Sequence, residues 1–405
     1  MAAKRKVEIK DNFIRNLITV TAKLYEGNAL SGSNITIFHE NTDIIAYNCD
    51  ISGYPKLSAK KQSIVRAAIQ PDNGVIDYES FVKEINSIIN SQISPMKAAV
   101  LFRLHTDYET AAAITEKLNI GDELRITTID EYLPMLKKSH NVVTQMKHTP
   151  GFWEYMKNGT WCELSSHNKN FRSATDTAVS RIEVARSMLN FFLDRKRVHF
   201  QSKPQPMTEI PPSKYFFEIY ERDVVWWKYS FGNYKYIDKK INQETCDVIV
   251  EECNKVYAIK DSKLKESIIS SMMLLSEAMG CSRYDQMFIM LWTIVDVLIP
   301  KIDCNEKLLA NIYKKGREKQ KRTIKMLHDK RNVLIHQGIS SFIDENSVNQ
   351  LKLIVETLIQ FCCHVSDTAK TTDDIVFLLY KLNSKDIIDR EMSLLSFAAK
   401  LYENE

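Results

Sequence analysis

The run DKRNVLIHQG, Asp329 to Gly338, sets Arg331, Asn332 and His336 close together. These three residue types suit phosphate chemistry. A guanidinium is permanently charged and forks onto phosphate oxygens, an imidazole moves protons near neutral pH, and an amide can hydrogen-bond either a phosphate or an imidazole. Spacing alone does not assemble a site, because on an ideal helix Arg331 and His336 lie about 140° apart around the axis. A bend or a partner helix must bring them together. An arginine and a histidine at a helix end can also do no more than satisfy the last carbonyls and the negative end of the helix dipole. Further features argue for chemistry: Asn332 directly follows the arginine, Gly338 stands just after the histidine, and one acid, Asp296, interrupts the apolar run MFIMLWTIVDVLIP upstream. Between Lys314 and Arg331 nine basic residues stand against two acidic ones, a charge run of the kind that is usually a solvated face. On the approach to a working site, Lys319, Lys321, Arg322, Lys325 and Lys330 would also draw in phosphates.

Helices must position these groups. In KRTIKMLHDKRNVLIHQG, the residues Ile324, Leu327, Leu334 and Ile335 supply an apolar stripe, and Gly338 is a C-terminal stop. Beyond Asn242 no strand signal appears. Periodicity predicts helices near 243–257, 262–279, 283–299, 306–336 with a break at Gly316, and 344–366, followed by two shorter ones. Their lengths suit an antiparallel bundle.

The first half mixes signals. NITIFHE and TDIIAYNC read as β-rich runs joined at Glu40 and Asn41, which predicts a hairpin. KAAVLFRLHT and ELRITTI are further strand candidates, the former with Phe102 and Leu104 on one face and Arg103 and His105 on the other. DYESFVKEINSIINSQI and DYETAAAITEKLN have helical spacing, and Ala174 to Arg195 reads as a helix with Asp176 at its cap. SKPQPMTEIPPSK, with four prolines, is a linker or an extended crossing. YFFEIYERDVVWWKYSFGNYKY looks strand-like with a turn at Phe231, Gly232 and Asn233. Its Trp226, Trp227 and Tyr229 could stack on bases or, as aromatics more often do, pack the chain together. The expected architecture is an α+β domain over 1–210, an aromatic connecting segment over 211–242 and an all-α helical bundle over 243–405.

Together, FIMLWTIVDVLIP and HDKRNVLIHQG resemble the HEPN superfamily (higher eukaryotes and prokaryotes nucleotide-binding), and within it the Apea-like subgroup found in prokaryotic defence proteins. That signature is a closely spaced arginine and histidine, here with a polar residue after the arginine and an acid on the preceding core helix. Asp296 stands where Glu is more usual. The resemblance covers roughly residues 243–370. It implies a metal-independent endoribonuclease that works as a homodimer, leaves a 2′,3′-cyclic phosphate and a 5′-hydroxyl, and needs no cofactor. Carried onto this chain, it implies that Arg331 stabilises charge, that His336 handles the proton or positions the 2′-hydroxyl, that Asn332 bonds the phosphate or orients His336, and that Asp296 orients Arg331. Defence against phage is the biological role it suggests, with tRNA or mRNA as candidate substrates. The toxin half of a toxin–antitoxin pair, or a non-catalytic dimerisation or scaffold module, are the alternatives.

Composition narrows the rest. With 405 residues, 44% hydrophobic and 26% charged, the chain reads as a folded, soluble protein of two or three domains. A net charge of +4 is too small to imply a partner by itself. The basic start MAAKRKVEIK lacks the apolar core of a secretory signal, and Asp296 interrupts the longest apolar run, so a cytoplasmic chain with no membrane span is expected. The eight cysteines form no CxxC pair, and Cys362, Cys363 and His364 would fan to different faces of one helix, so no metal site is expected. Residues 1–210 carry no P-loop, GxGxxG or HExxH, and His39, His105, His140, His148, His167 and His199 show no spacing that suggests ligation.

Overall fold

The structure is a computed structural model. It describes residues 9, 11–25, 30, 33–49, 61–69, 75, 77–91, 96–120, 123–139, 142–143, 149, 151–157, 159–168, 171–198, 206–219, 224–228, 234, 236–260, 263–300, 305–313, 315–338, 340, 342–382 and 385–402. The chain begins with four helices, α1 (Asn12–Ala22), α2 (Ser33–Asn48), α3 (Lys61–Ala68) and α4 (Tyr78–Ser91). Strand β1 (Met96–Leu104), α5 (Tyr108–Lys117), β2 (Glu123–Thr127), α6 (Ile129–Lys138), α7 (Phe152–Lys157) and β3 (Thr160–Asn168) follow. Next come α8 (Phe171–Asp194) and the pair β4 (Tyr215–Ile219) and β5 (Val224–Lys228). The remainder is helical: α9 (Gln243–Ala258), α10 (Lys263–Met279), α11 (Tyr284–Leu298), α12 (Asn305–Ala310), α13 (Arg317–Gln337), α14 (Glu345–Val365), α15 (Thr372–Lys381) and α16 (Lys385–Tyr402). None of these helices is long and apolar enough to cross a membrane. The expected order, mixed α and β first and then helices alone, is what the chain adopts.

Two compact units divide the chain, Met1–Lys97 with His167–Ala174, and Ala98–Ser166 with Thr175–Glu405. In the first, α1 packs on α2 and α4, and α3 packs on α2 and α4, around Ile14, Ile18, Phe38, Ile45, Phe81 and Ile85. The hairpin expected over NITIFHE and TDIIAYNC is instead the single helix α2. Phe38, Thr42, Ile45 and Ala46 are its buried residues, a spacing of four, three and one that matches one helix face and not a pleat. β-branched content suggested strands, and tertiary burial of that face overrode it. Glu40 and Asn41, expected in a turn, lie in its interior.

The second unit is built on a five-stranded sheet in the order β2-β3-β1-β4-β5. β2 pairs antiparallel with β3, β1 with β4 and β4 with β5. One sheet face, through Val100, Phe102, Cys162, Leu164 and Phe216, joins the same core as α8 and the C-terminal helices. The other, through Leu101, Trp161, Tyr215, Phe217 and Val224, is covered by residues of α6 and α7. The β4–β5 reversal falls between Ile219 and Val224; Tyr229, the turn expected at 231–233, and the side chains of Trp226 and Trp227 lie outside the described residues. Helix α8 begins at Phe171, so Asp176 lies inside it and does not cap it. The last two helices, α15 and α16, have 10 and 18 residues, shorter than the 21 of α14.

The face of β1 expected to be polar is buried. Arg103 and His105 retain 6% and 0% exposure. Arg103 donates through Nη2 to both Asp238 oxygens at 2.9 and 3.0 Å, and His105 Nε2 lies 3.1 Å from the Tyr155 hydroxyl. Burial holds the His105 imidazole below its ordinary pKa, and pushes the Tyr155 phenol up to about 12. Gly159, at φ +84°, makes room for this arrangement, because a Cβ there would sit 2.1 Å from Arg103 Nε. Gly159→Ala is expected to destabilise the protein by about 1–3 kcal/mol through the disfavoured φ and the displaced arginine, measured by urea unfolding.

A second buried polar cluster joins α8 to α14. Lys352 Nζ lies 2.6 Å from Glu356 Oε1 and 3.2 Å from Asp194 Oδ2, and donates to the carbonyls of Asp194 and Arg197 at 3.1 and 3.0 Å. Glu356 in turn accepts from the Lys196 backbone N–H at 3.0 Å. Removing one member leaves uncompensated charge in the interior. Lys352→Met should cost about 3–5 kcal/mol in the same unfolding measurement, and pairing it with Glu356→Leu should recover part of the loss.

Candidate functional site

Helix α13 is bounded by two glycines in the left-handed region, Gly316 at φ +70° and Gly338 at φ +67°. The Gly338 N–H donates to the Leu334 carbonyl at 3.1 Å, a C-cap that β-carbon sterics reserve largely for glycine. Ile324, Leu327 and Leu334 are buried. Ile335, expected in the same stripe, is 48% exposed. It lies one turn beyond Arg331, and α11 ends two residues after Asp296, which leaves the last turn of α13 uncovered by that helix.

The core helix α11 is buried through Met287, Phe288, Leu291, Trp292, Ile294, Val295 and Leu298. It packs on α13 and presents Asp296, whose Oδ2 lies 3.6 Å from Arg331 Nη2. Arg331 Nη1 donates to Asn332 Oδ1 at 3.2 Å. The Arg331 Nε is buried with no partner among the described residues. Burial raises the Asp296 carboxyl above its ordinary pKa, and Arg331, His328 and a hydrogen bond with Trp292 pull it back down.

His328 and Trp292 belong to this cluster and were absent from the sequence expectation. Their rings are 5.5 Å apart at 33°. A signal was present, since His328 stands three residues before Arg331 and Trp292 four before Asp296, spacings that share a helix face.

The basic residues divide. On α13, Lys321, Lys325, Asn332 and His336 recur at intervals of four and seven, which confines them to a strip about 60° wide on an ideal helix. Lys325 and His336 are exposed and Lys321 and Asn332 half-buried. Lys319 and Lys330 fall on another side of the helix, and Arg322 lies about 40° outside the strip. Lys330 is engaged at the N-terminus of α14, with its Nζ 2.6 Å from Ser347 Oγ and 3.8 Å from Asp344. Arg331 and His336 do not converge within one chain. Among the described residues no group of three His, Cys, Asp or Glu could hold a metal ion.

No family model, curated protein or solved structure matches the chain.

The arrangement offers groups suited to phosphate, an arginine held by a carboxylate with a neighbouring amide, and, turned away from that arginine around the helix, an exposed imidazole on a strip that also carries two lysines. Because burial already holds the native Asp296 carboxyl above its unfolded value, its contribution to stability is present below the unfolded pKa and is lost as pH rises through the native one. Arg331→Ala removes the opposing charge and is expected to move the Asp296 titration midpoint further up, read by carboxyl-carbon NMR. An unmoved midpoint would mean that the two groups are electrostatically independent.

Proposed function

We propose that the protein is a metal-independent endoribonuclease of the HEPN type, cytoplasmic and homodimeric, that cuts RNA in defence against phage. The observation that carries the reading is the placement of an acid from the buried core helix α11 against Arg331, 3.6 Å away, with Asn332 on the same guanidinium and His336 exposed in the last turn. Lys321 and Lys325, on the strip of His336, are the residues that guide the RNA backbone toward it.

In this chemistry a ribose 2′-hydroxyl attacks the adjacent phosphorus. His336 accepts the 2′-hydroxyl proton and the same proton is then available to the departing 5′-oxygen, so the products are a 2′,3′-cyclic phosphate and a 5′-hydroxyl. Arg331 forks onto the non-bridging oxygens as negative charge builds in the phosphorane. Asn332 bonds the phosphate or orients His336, and Asp296 holds the guanidinium in place.

A second reading has its own support. Arg331 is half-buried and engaged by both Asp296 and Asn332, as a structural tether in a non-catalytic dimerisation or scaffold module would be. Incubating the purified protein with total RNA and with tRNA in EDTA separates the two. The nuclease reading expects new cyclic-phosphate ends, lost by at least about 100-fold in Arg331→Ala and in His336→Ala with the thermal melt largely unchanged. Full cleavage by either variant would overturn the assignment, and no cleavage by the wild type, with or without lysate from infected cells, favours the scaffold.

A further inference from the structure

A cavity of about 600 Å³ opens where the C-terminal ends of α8, α9 and α14 converge, a volume ordinary for sites that hold small organic ligands. Phe192, Val256 and Ile259 give it an apolar wall, and Arg195, Lys255, Lys260 and Lys370 outnumber two acids, Glu252 and Asp367, around it. What matters is which of these charges are already engaged. Lys255 is bound to Glu251 and Glu252 at 3.0 and 2.8 Å. The Lys370 ammonium donates to the Asp367 carbonyl at 2.8 Å and to the Ser366 carbonyl at 3.4 Å, which closes the end of α14. Asp367 itself is exposed.

Arg195 and Lys260 are different. They stand just beyond the ends of α8 and α9, and among the described residues neither side chain has an ion pair or a hydrogen bond, nor do those of Gln360 and His364 on α14. Cations near helix C-termini are favoured by the dipole, and that accounts for Lys370. It does not account for the concavity itself, faced by the exposed Lys260, Gln360 and His364 and the half-buried Arg195, whose donors are not used within the chain among the described residues. Cys363 lies on the wall, and burial pushes its thiol up to about 12, so it is no nucleophile at neutral pH.

We infer that this cavity binds a small phosphate-bearing molecule of nucleotide size. Arg195 and Lys260 hold its phosphate, Gln360 and His364 add hydrogen bonds, and Phe192 and Ile259 carry its apolar body. The inference does not depend on the nuclease reading. Helix α14 receives Lys330 at Ser347 and lines the cavity at His364, positions about 25 Å apart along a helix.

Isothermal titration calorimetry on the full chain tests it, with pyrophosphate, AMP and ATP as probes and adenosine as the phosphate-free control. At least one phosphate-bearing probe should bind at one site per chain and tighter than adenosine. Its affinity should fall at least tenfold in Arg195→Gln/Lys260→Gln, and stay unchanged in Arg331→Ala/His336→Ala. The single variant Lys260→Gln, an exposed exchange, keeps the test valid should the double variant melt early. Failure of all three probes to bind at millimolar concentration would overturn the inference, as would binding that survives the cavity variants or is lost with Arg331 and His336.

Discussion

A lysine ammonium buried between two carboxylates fixes the framework of the larger unit. Lys352 reaches from α14 to the carboxylate and carbonyl of Asp194 at the end of α8 and to the Arg197 carbonyl just beyond it, while Glu356, one turn on, accepts from the Lys196 backbone N–H. Helix α8 lies against the sheet through Ala178, Ile182 and Ala185, in the same core as the C-terminal helices. The ion cluster is therefore the point at which the sheet layer and the helical layer are locked in register. Apolar packing is non-directional and tolerates sliding, whereas a buried charge with four partners does not. With α14 pinned at its middle, its N-terminal end receives Lys330 from α13, and its C-terminal end lines the cavity beside α9.

How legible this was depends on the kind of signal. The helices beyond Asn242 announce themselves, because apolar residues recur at one face over long windows and glycines mark the stops of α13. Helix α2 does not. Its β-branched residues are shared between a buried face and exposed positions such as Ile35, Ile37 and Ile44, so the local composition says strand while the burial period says helix. Helical spacing links Phe38, Thr42 and Ile45 across the two runs, but runs of seven and eight residues are too short to separate the two periods. The polar face of β1 illustrates the opposite failure. Alternation placed Arg103 and His105 away from Phe102 correctly as geometry, yet alternation cannot say that a second layer, α6 and α7, covers that face as well.

The candidate site shows the same division between what lies along one helix and what lies across two. Arg331, Asn332 and His336 are local and could be singled out by type and spacing. The cluster of Trp292 and His328 requires knowing that α11 and α13 are neighbours in matching direction, with Trp292 beside His328 and Asp296 beside Arg331. Helix adjacency is a tertiary fact, and no periodicity within either segment contains it. The burial that raises the Asp296 carboxyl, and the unpartnered Arg331 Nε, follow from that adjacency and not from either sequence run.

The faces of α13 constrain any chemistry the motif performs. Arg331 is turned toward α11, and His336 lies about 140° away from it around the axis and about 7.5 Å further along. Lys321, Lys325 and Asn332 share the side of His336, so the helix separates a guanidinium held against α11 from a strip of exposed and half-buried donors. A phosphate gripped by that guanidinium and a proton handled by that imidazole do not meet on one straight helix. Under the nuclease reading the missing geometry has to come from a second protomer whose own α13 faces the first, each supplying what the other turns away. That requirement explains why an imidazole left in solvent at His336 and an arginine tied into the core at Arg331 are compatible with one reaction, and why neither by itself distinguishes a catalyst from a tether.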